Sequence, residues 1–357
     1  MSTEIWLLGA TGRTGRAIGA RLVAAGRTPV LVGRNADRLR AAASEWGIDD
    51  PQLVVETSTA GAARAIRERR PAVVVNTIGG YAETATTFAR SCLPGGHYVD
   101  LANDLVAISR MLELNDEAVD NGSTLVTGAG FGVLATQAVV AKLVEGQPTP
   151  GDVRVDAIAS FAMEAGLLGT ALAESIVSGL TTGGLQYKGG QLVKARLASE
   201  ARHLKLPDGE TASTVLAPTG DLLAAQQASN APAVVSANAL LPGGVVRHLL
   251  PLMGLLLTIP VLRRFAVRRL AAVTTKAAPR ARTHSWGHAV VNWPGGTTRA
   301  GWLRCDDAMD YTCAVITEAA LALARGEAKP GAHTPVTAFG PDLAVAAGGV
   351  FILEERG

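Results

Sequence analysis

Three evenly spaced glycines, Gly9, Gly12 and Gly15, follow the first apolar run of the chain. The run at 5–8 predicts a buried strand, and the alanine-rich stretch at 16–25 predicts a helix. A glycine-rich turn between a strand and a helix presents backbone N–H groups and the positive end of the helix dipole, and this arrangement binds the pyrophosphate of a dinucleotide. The spacing is G-x-x-G-x-x-G, whereas the standard fingerprint is G-x-G-x-x-G. We therefore expect a dinucleotide to be held by Gly9, Ala10, Thr11, Gly12, Arg13, Thr14 and Gly15.

The end of the second predicted strand, at 28–32, indicates which dinucleotide binds. NAD enzymes usually place a carboxylate there, which accepts hydrogen bonds from the ribose 2′-hydroxyl. This chain has Gly33, Arg34 and Asn35 instead. The guanidiniums of Arg34 and Arg13 suit a 2′-phosphate, because arginine forms planar, charge-assisted hydrogen bonds to phosphate oxygens. The prediction is NADP(H), with Arg34 and Asn35 among its contacts. The alternative is that Arg34 only ends a loop and that Arg13 is a solvated residue at a helix start.

Apolar strands and helices alternate through the rest of the N-terminal third. The further predicted strands are 53–55, 72–75, 98–99 and 124–126, and the predicted helices are 59–69, 81–92 and 105–119. Six such strands predict an α/β fold with a Rossmann-type, doubly wound parallel sheet covered on both faces.

The loop after the fourth predicted strand would lie at the carboxyl ends of the strands, where ligands bind. We expect contacts on the nicotinamide side of the cofactor from Asn76, Thr77, Ile78 and Gly79. Alternatively, Asn76 and Thr77 are polar residues that simply end the strand.

Composition narrows the possible classes of function. A length of 357 residues allows two domains with cores of their own, and a net charge of +2 without a dense basic tract argues against specific nucleic-acid binding. Cys92, Cys305 and Cys313 lack C-x-x-C spacing, and His284 and His288 have no third ligand nearby in sequence. We therefore expect no disulfide framework and no metal, and for the histidine pair we expect packing or substrate contact. The chain leads directly into a strand, so no signal peptide is expected and the expected location is the cytoplasm.

The pattern changes after about residue 130. The predicted strands are 153–161, 185–187, 284–291 and 298–303, and the predicted helices are 169–180 and 310–325. These elements predict a second, α+β domain with an antiparallel sheet, which would form one wall of a substrate cleft.

An uncharged apolar segment occupies 249–262 and is followed by four arginines: Arg263, Arg264, Arg268 and Arg269. It is shorter than the roughly 20 residues that a membrane-spanning helix needs, and Pro251 and Pro260 interrupt it. Three interpretations remain open. The segment is buried or forms a homodimer contact, or Leu249 to Leu270 lies on an anionic membrane surface, or the segment caps a lipophilic substrate.

Several short motifs carry a resemblance to one family. They are Gly9 to Gly15, Gly33-Arg34-Asn35, His97-Tyr98-Val99-Asp100-Leu101, Gly128-Ala129-Gly130-Phe131, Gly169-Thr170 and Thr334-Pro335-Val336-Thr337-Ala338-Phe339-Gly340. The chain resembles the saccharopine-dehydrogenase-like reductases, in particular the bacterial branch that includes trans-acting enoyl reductases.

This resemblance implies a Rossmann domain at 1–130 that is completed by about 331–357, with the second domain at 131–330 inserted between them. It also implies NADP(H) and hydride transfer to a C=N or activated C=C bond. The family usually has Gly-Glu after the Tyr-Val-Asp-Leu segment, whereas this chain has Ala102-Asn103-Asp104, so the substrate is expected to differ. The second domain also shows no concentrated arginine and lysine set for an amino-dicarboxylate, which favours a less polar substrate.

Four residues near predicted strand ends could donate a proton. Tyr81 follows the loop that starts at Asn76, and Tyr98, Asp100 and Asn103 lie at or after the next strand. Each of them could instead make a structural hydrogen bond. Neither tyrosine belongs to a Tyr-x-x-x-Lys pair of the short-chain dehydrogenase kind.

Taken together, these features predict an NADPH-dependent oxidoreductase that reduces a C=N or activated C=C bond in a small, fairly apolar metabolite. Such a reaction needs chiefly a positioned nicotinamide and a proton donor. The alternative is an NADP(H)-binding sensor or membrane-surface protein without turnover.

Overall fold

A computed structural model describes residues 3–162, 165–239 and 250–354. The chain divides into two compact units. The first comprises Met1–Ala102, Val106–Gly130 and Met309–Ala347, and the second comprises Asn103–Leu105, Phe131–Ala308 and Gly348–Gly357.

The first unit is built on a parallel sheet, which confirms the predicted fold class. Its seven described strands are β1 (Ile5–Leu8), β2 (Val30–Gly33), β3 (Leu53–Val55), β4 (Val73–Asn76), β5 (His97–Asp100), β6 (Thr124–Val126) and β17 (Gly331–His333). Neighbouring strands are parallel, and their spatial order is β17-β6-β5-β4-β1-β2-β3. The direction of winding reverses between β1 and β4. The loops after these two strands therefore border the point at which open α/β sheets bind ligands.

Helices complete the first unit. They are α1 (Arg13–Ala24), α2 (Ala36–Glu45), α3 (Thr59–Arg69), α4 (Tyr81–Ser91), α5 (Leu105–Leu112), α6 (Asn115–Asp120), α12 (Ala308–Ala324), α13 (Pro335–Phe339) and α14 (Leu343–Ala346). The prediction of one helix at 105–119 was wrong. The chain breaks after Leu112, and Asn115 starts a second helix, where its side-chain oxygen accepts a hydrogen bond from the backbone N–H of Ala332 in β17 (3.2 Å).

The second unit contains a mixed sheet. Its described strands are β7 (Asp152–Ile158), β8 (Gly166–Leu167), β9 (Gly184–Lys188), β10 (Gln191–Ala195), β11 (Arg202–Lys205), β12 (Thr211–Leu216), β13 (Ala233–Asn238), β14 (Thr274–Thr275), β15 (Ser285–Asn292), β16 (Thr298–Cys305) and β18 (Val350–Leu353). The strands β10-β9-β13-β7-β15-β16-β18 follow one another across the large sheet, and β8 pairs only with β14. The predicted antiparallel sheet needs one correction, because β7 and β13 are parallel.

The described helices of the second unit are α7 (Phe131–Val144), α8 (Thr170–Thr182), α9 (Gly220–Ser229), α10 (Leu250–Leu256) and α11 (Pro260–Ala271). The close packing of α7 on the large sheet depends on Gly287 in β15, since a β-carbon there would collide with the backbone of Ala135.

The borders of the two units differ from the predicted borders at two elements. Helix α12, predicted in the second domain, belongs to the first unit, where the Tyr311 hydroxyl donates a hydrogen bond to the carbonyl of Ala344 (2.9 Å). Strand β18, predicted in the first domain, belongs to the second unit because it pairs antiparallel with β16, Trp302 opposite Ile352. The last segment is therefore shared between the two sheets.

The apolar segment predicted at 249–262 forms α10 and the start of α11, with Leu249 outside the described residues. The interpretation as a buried segment is wrong, because Leu255 and Val261 are 67% and 71% exposed. Within the described ranges, none of the helices has the length and apolar character needed to cross a membrane.

Candidate nucleotide-binding site

The turn between β1 and α1 has the geometry of an anion-binding loop. Gly9 adopts a φ of +79°, which glycine tolerates at little cost, and its N–H donates to the carbonyl of Val32 (3.1 Å). A β-carbon at Gly15 would collide with the carbonyl oxygen of Gly9, so the third glycine lets α1 pack closely on the turn. Helix α1 has no acidic residue in its first turn, and no described side chain caps it at Gly12. Its positive end is thus available to a phosphate.

The end of β2 places a cation, and not a carboxylate, beside this turn. Gly33 ends the strand, in register with β1 through Leu8 and Val32, and Arg34 follows as an exposed residue. Asn35 has a structural function here, because its side-chain oxygen caps α2 by accepting a hydrogen bond from the backbone N–H of Arg38 (3.0 Å). Of the two residues predicted at this end, Arg34 therefore has the chemistry that a 2′-phosphate requires.

Thr77 joins the two loops at the switch point. Its hydroxyl and its backbone N–H both donate to the carbonyl of Leu8, at 2.7 and 3.1 Å. A β-carbon at Gly9 would press on the Thr77 side chain, so the loops after β1 and β4 touch directly. Ile78 is 37% exposed and Gly79 is partly exposed, whereas Ala10 is fully buried. The structure thus brings together the predicted residues of the loops after β1 and β4.

Beneath these loops lies a buried hydrogen-bond network on β4, β5 and the residues after β6. The Asn76 amide donates to the Tyr98 hydroxyl (2.9 Å), and this hydroxyl donates to Oδ2 of Asp100 (3.0 Å). All three side chains are completely buried. Oδ1 of Asn76 accepts the backbone N–H of Ile78 (3.0 Å), which connects the network to the loop above it.

Asp100 connects this network to two further loops. Its Oδ1 accepts hydrogen bonds from the N–H groups of Ala102 (3.0 Å) and Gly128 (3.1 Å) and from the Thr127 hydroxyl (2.9 Å). A buried carboxylate therefore fixes the chain after β5 and β6, while its partner Tyr98 connects to the loop after β4. The network positions three loops at the carboxyl edge of the sheet.

Burial and hydrogen bonding act in opposite directions on Asp100. Burial raises the pKa of its carboxyl group to about 6, although the N–H groups of Ala102 and Gly128 and the hydroxyls of Thr127 and Tyr98 each lower it. Burial and the neighbouring charge of Asp100 raise the pKa of Tyr98 well above its ordinary value. Tyr98 therefore stays protonated and donates to Asp100.

These contacts correct two predictions about site residues. Tyr98 and Asp100 were candidate proton donors and Asn76 a candidate cofactor contact, but all three are buried and use their polar atoms within the network. All three hold loops in position in this structure. Sequence reasoning missed Thr127, for which the only sequence signal is a hydroxyl at the end of an apolar strand.

The other two candidate proton donors lie in different units. Tyr81 is the first residue of α4, directly after the loop that starts at Asn76, and its half-buried ring packs against the apolar core of the first unit. Asn103 belongs to the second unit, where its carbonyl accepts the N–H of Gly220 (2.9 Å) and its side chain lies beside Gly132. Of these two candidates, Tyr81 is the one that follows the loop after β4 directly in the chain.

The predicted histidine pair lies in the second unit, where His288 is buried and His284 is partly exposed. His288 in β15 is 3.1 Å from a carboxylate oxygen of Asp156 and stacks on Trp302, with ring centres 3.9 Å apart. Burial raises the pKa of Asp156, but hydrogen bonds from His288 and Arg154 outweigh it and bring the value to about 2. His284 contacts the Trp286 ring edge-on. Across the described part of the chain, no group of three or more His, Cys, Asp or Glu side chains is placed to hold a metal ion.

Comparison with known families finds one match within the first unit. Residues 5–126 match the model of the saccharopine dehydrogenase NADP binding domain, which agrees with the resemblance seen in the motifs. This part of the chain is similar to a saccharopine dehydrogenase NADP binding domain. The matched model describes an NADP-binding domain, so the comparison indicates NAD(P) binding by the first unit.

Individual relatives are more distant. The trans-acting enoyl reductase of Mycobacterium ulcerans (strain Agy99) is 30% identical over 139 residues, which are 36% of this chain and 32% of that protein. The similarity therefore spans about one third of the relative's length. A probable dehydrogenase from Thermotoga maritima aligns with 96% of this chain and 94% of its own, at 12% identity and a TM-score of 0.46. A serine dehydrogenase from Escherichia coli aligns with 34% of this chain and 80% of its own, at 15% identity and a TM-score of 0.30.

The residues of the first unit fit a nicotinamide dinucleotide. The start of α1 has no side-chain cap, Gly9 adopts a positive φ, and Gly15 leaves no room for a β-carbon. Together these features form a cradle of backbone N–H groups. This cradle suits a pyrophosphate, which needs close backbone approach and no nearby carboxylate.

Proposed function

We propose that this protein is an NADPH-dependent reductase that transfers a hydride to a C=N or activated C=C bond of a small, fairly apolar metabolite. The proposal rests on the residue type found at the end of β2. An exposed arginine, Arg34, stands where an NAD enzyme has a carboxylate, and the uncapped start of α1 lies at the neighbouring strand. A cationic end of β2 favours the 2′-phosphate that distinguishes NADPH from NADH.

In this proposal, the backbone of Gly9 to Gly15 holds the pyrophosphate, and Arg34, together with Arg13, holds the 2′-phosphate. Ile78 and Gly79, in the loop after β4, contact the nicotinamide side, while Asn76 and Thr77 keep that loop against β1. A bound NADPH supplies the hydride, and a proton must reach the acceptor to complete the reduction. Tyr81 is the proposed donor, because its position at the start of α4 follows directly on the loop.

The choice of bond rests on the resemblance and on one relative. The relative from Mycobacterium ulcerans is named an enoyl reductase, and a conjugated C=C bond is an acceptor of the kind we propose. The missing Tyr-x-x-x-Lys pair argues against the best-known route to ketone reduction.

The test follows NADPH consumption by its nicotinamide absorbance, with a panel of cyclic imines, enoyl thioesters and ketones. We expect turnover with at least one imine or enoyl compound and a lower kcat for Tyr81→Phe at unchanged NADPH affinity. Tight NADPH binding without turnover on the whole panel would contradict the proposal and favour a nucleotide-binding sensor.

A further inference from the structure

The helices α10 and α11 present apolar side chains to solvent. Six large apolar residues are each at least 48% exposed: Leu252, Leu255, Leu256, Ile259, Val261 and Phe265. Helix α11 has no buried residue at all. So many exposed apolar side chains within 14 consecutive positions mark an interaction surface, since single exposed hydrophobic residues are common but contiguous groups are not. These six residues define the α10–α11 surface.

The other side of the two helices is anchored to the second unit. Gly254 is buried, and a β-carbon there would collide with the carbonyl oxygen of Leu180 in α8, so α10 packs closely on α8. After α11, the N–H of Leu168 donates to the carbonyl of Val273 (2.9 Å), and β14 pairs with β8. The exposed apolar side is therefore the outer face of two helices whose inner side is held against the second unit.

The stretch of sequence that contains this surface carries charges of one sign. Residues 222–305 contain no aspartate or glutamate, whereas they contain ten arginines and lysines. Four of these are exposed on α11: Arg263, Arg264, Arg268 and Arg269. The Arg269 guanidinium lies 5.9 Å from the centre of the Phe265 ring, so cationic and apolar groups share the same side of the helix.

The charge decides between the possible occupants. A second copy related by two-fold symmetry would bring the same surface against itself, and the arginines of α11 would face the same arginines of the other copy. An anionic bilayer offers both partners at once, because acyl chains accept the apolar residues and lipid phosphates accept the guanidiniums. The two helices have seven and twelve residues, which is too short to cross a bilayer, so they suit an orientation in the plane of the membrane surface.

We propose that the α10–α11 surface docks this protein on an anionic membrane surface. This peripheral contact does not depend on the proposed reductase activity, and it uses none of the residues that would hold the nucleotide. We propose this contact in place of the homodimer contact and the substrate cap that the sequence also allowed.

The test is flotation of the full chain with vesicles of phosphatidylcholine containing phosphatidylglycerol, compared with pure phosphatidylcholine vesicles. We expect binding to the anionic vesicles alone, weakening as salt is added. Each arginine near an anionic surface contributes roughly a fivefold increase in affinity, so the double variant Arg268→Gln/Arg269→Gln should bind about 25-fold more weakly. Leu256→Glu should abolish flotation.

Two matched controls isolate the surface. Val119, on α6 of the first unit, is 48% exposed, as is Leu256, so Val119→Glu introduces the same charge at an equally exposed apolar position. The double variant Arg38→Gln/Arg40→Gln removes the same charge from α2. Both controls should float as the wild type does, and every variant should retain wild-type NADPH affinity, which shows that it is folded.

Three results would overturn the proposal. One is a wild-type chain that does not float with anionic vesicles at low ionic strength. Another is equal loss of flotation in the control variants. The third is a concentration-dependent dimer that Leu256→Glu dissociates while vesicles bind nothing, which would assign the surface to a second copy.

Discussion

The buried hydroxyl of Tyr98 gives the sharpest test of the network beneath the cofactor loops. In Tyr98→Phe the ring remains and only the hydroxyl is lost, so packing of the completely buried side chain is preserved. The change removes a hydrogen bond to the carboxylate of Asp100 and leaves the amide of Asn76 without its acceptor. A hydrogen bond to a charged group contributes about 1.5–3 kcal/mol, and an unsatisfied buried donor costs about 1–3 kcal/mol. Because the two effects overlap, we expect a loss of about 3 kcal/mol in the free energy of unfolding.

The same network predicts a pH signature. The Tyr98 hydroxyl lowers the pKa of Asp100, which burial has raised to about 6, so it stabilises the charged carboxylate. Above pH 6 the carboxylate is charged and needs this donor, whereas below pH 6 the protonated group needs it less. The destabilisation of Tyr98→Phe should therefore be larger at pH 8 than at pH 5.

The assay is urea unfolding of the wild type and Tyr98→Phe at both pH values, monitored by fluorescence and circular dichroism. Tyr187→Phe is the control, because Tyr187 is only half-buried in β9 and its hydroxyl contacts no described hydrogen-bond partner. That variant should stay within about 0.5 kcal/mol of the wild type. If Tyr98→Phe were equally stable but lost NADPH oxidation, Tyr98 would be a proton donor and the positioning role would be refuted.

Two further predictions concern the turn after β1 and a buried acid in the second unit. Gly15→Ala should cost about 1–3 kcal/mol of stability and weaken NADPH binding at least tenfold, since its β-carbon collides with the Gly9 carbonyl. Gly179→Ala, where a β-carbon meets nothing within 4 Å, should leave isothermal titration with NADPH unchanged, and equal affinities of both variants would contradict the packing argument. Burial raises the pKa of Asp221 to about 7, and Oδ2 of Asp221 has no hydrogen-bond partner among the described residues. Between pH 4 and pH 7 the native state therefore binds a proton that the unfolded chain does not. Wild-type stability should consequently fall by about 3 kcal/mol more than that of Asp221→Asn between pH 5 and pH 8, and parallel pH profiles in urea unfolding would show that Asp221 is not buried in this way.

The parts of the fold that could be predicted from sequence are those set by neighbouring residues. The strand at 5–8, the glycine turn and the following helix are encoded within 25 positions, and the structure contains all three. The parallel sheet follows from continuous apolar strands alternating with helices, because both faces of such strands are buried. Val73, Val74 and Val75 in β4 show this, since all three are fully buried.

The parts that could not be predicted depend on contacts between distant residues. Asn76 and Asp100 end strands and Tyr98 lies within one, and sequence alone does not tell whether such a side chain faces a ligand or a buried partner. The parallel pairing of β7 with β13 and the placement of β18 beside β16 join segments far apart in the chain. The exposure of the apolar segment at 250–262 could not be predicted either, because an apolar segment is also typical of a buried helix.

The central claim is that the end of β2 selects NADPH, and paired titrations of NADPH and NADH by nicotinamide fluorescence test it most directly. They are made on the wild type, on Arg34→Ala and on the control Arg40→Ala, in which the altered arginine is exposed and pairs with Asp37 (3.0 Å). We predict that the wild type prefers NADPH, and that Arg34→Ala weakens NADPH binding roughly 10- to 100-fold, the range expected for a charge-assisted hydrogen bond. NADH binding should not change, and Arg40→Ala should behave as the wild type. Equal affinity of the wild type for both nucleotides, or an unaltered preference in Arg34→Ala, would contradict the account.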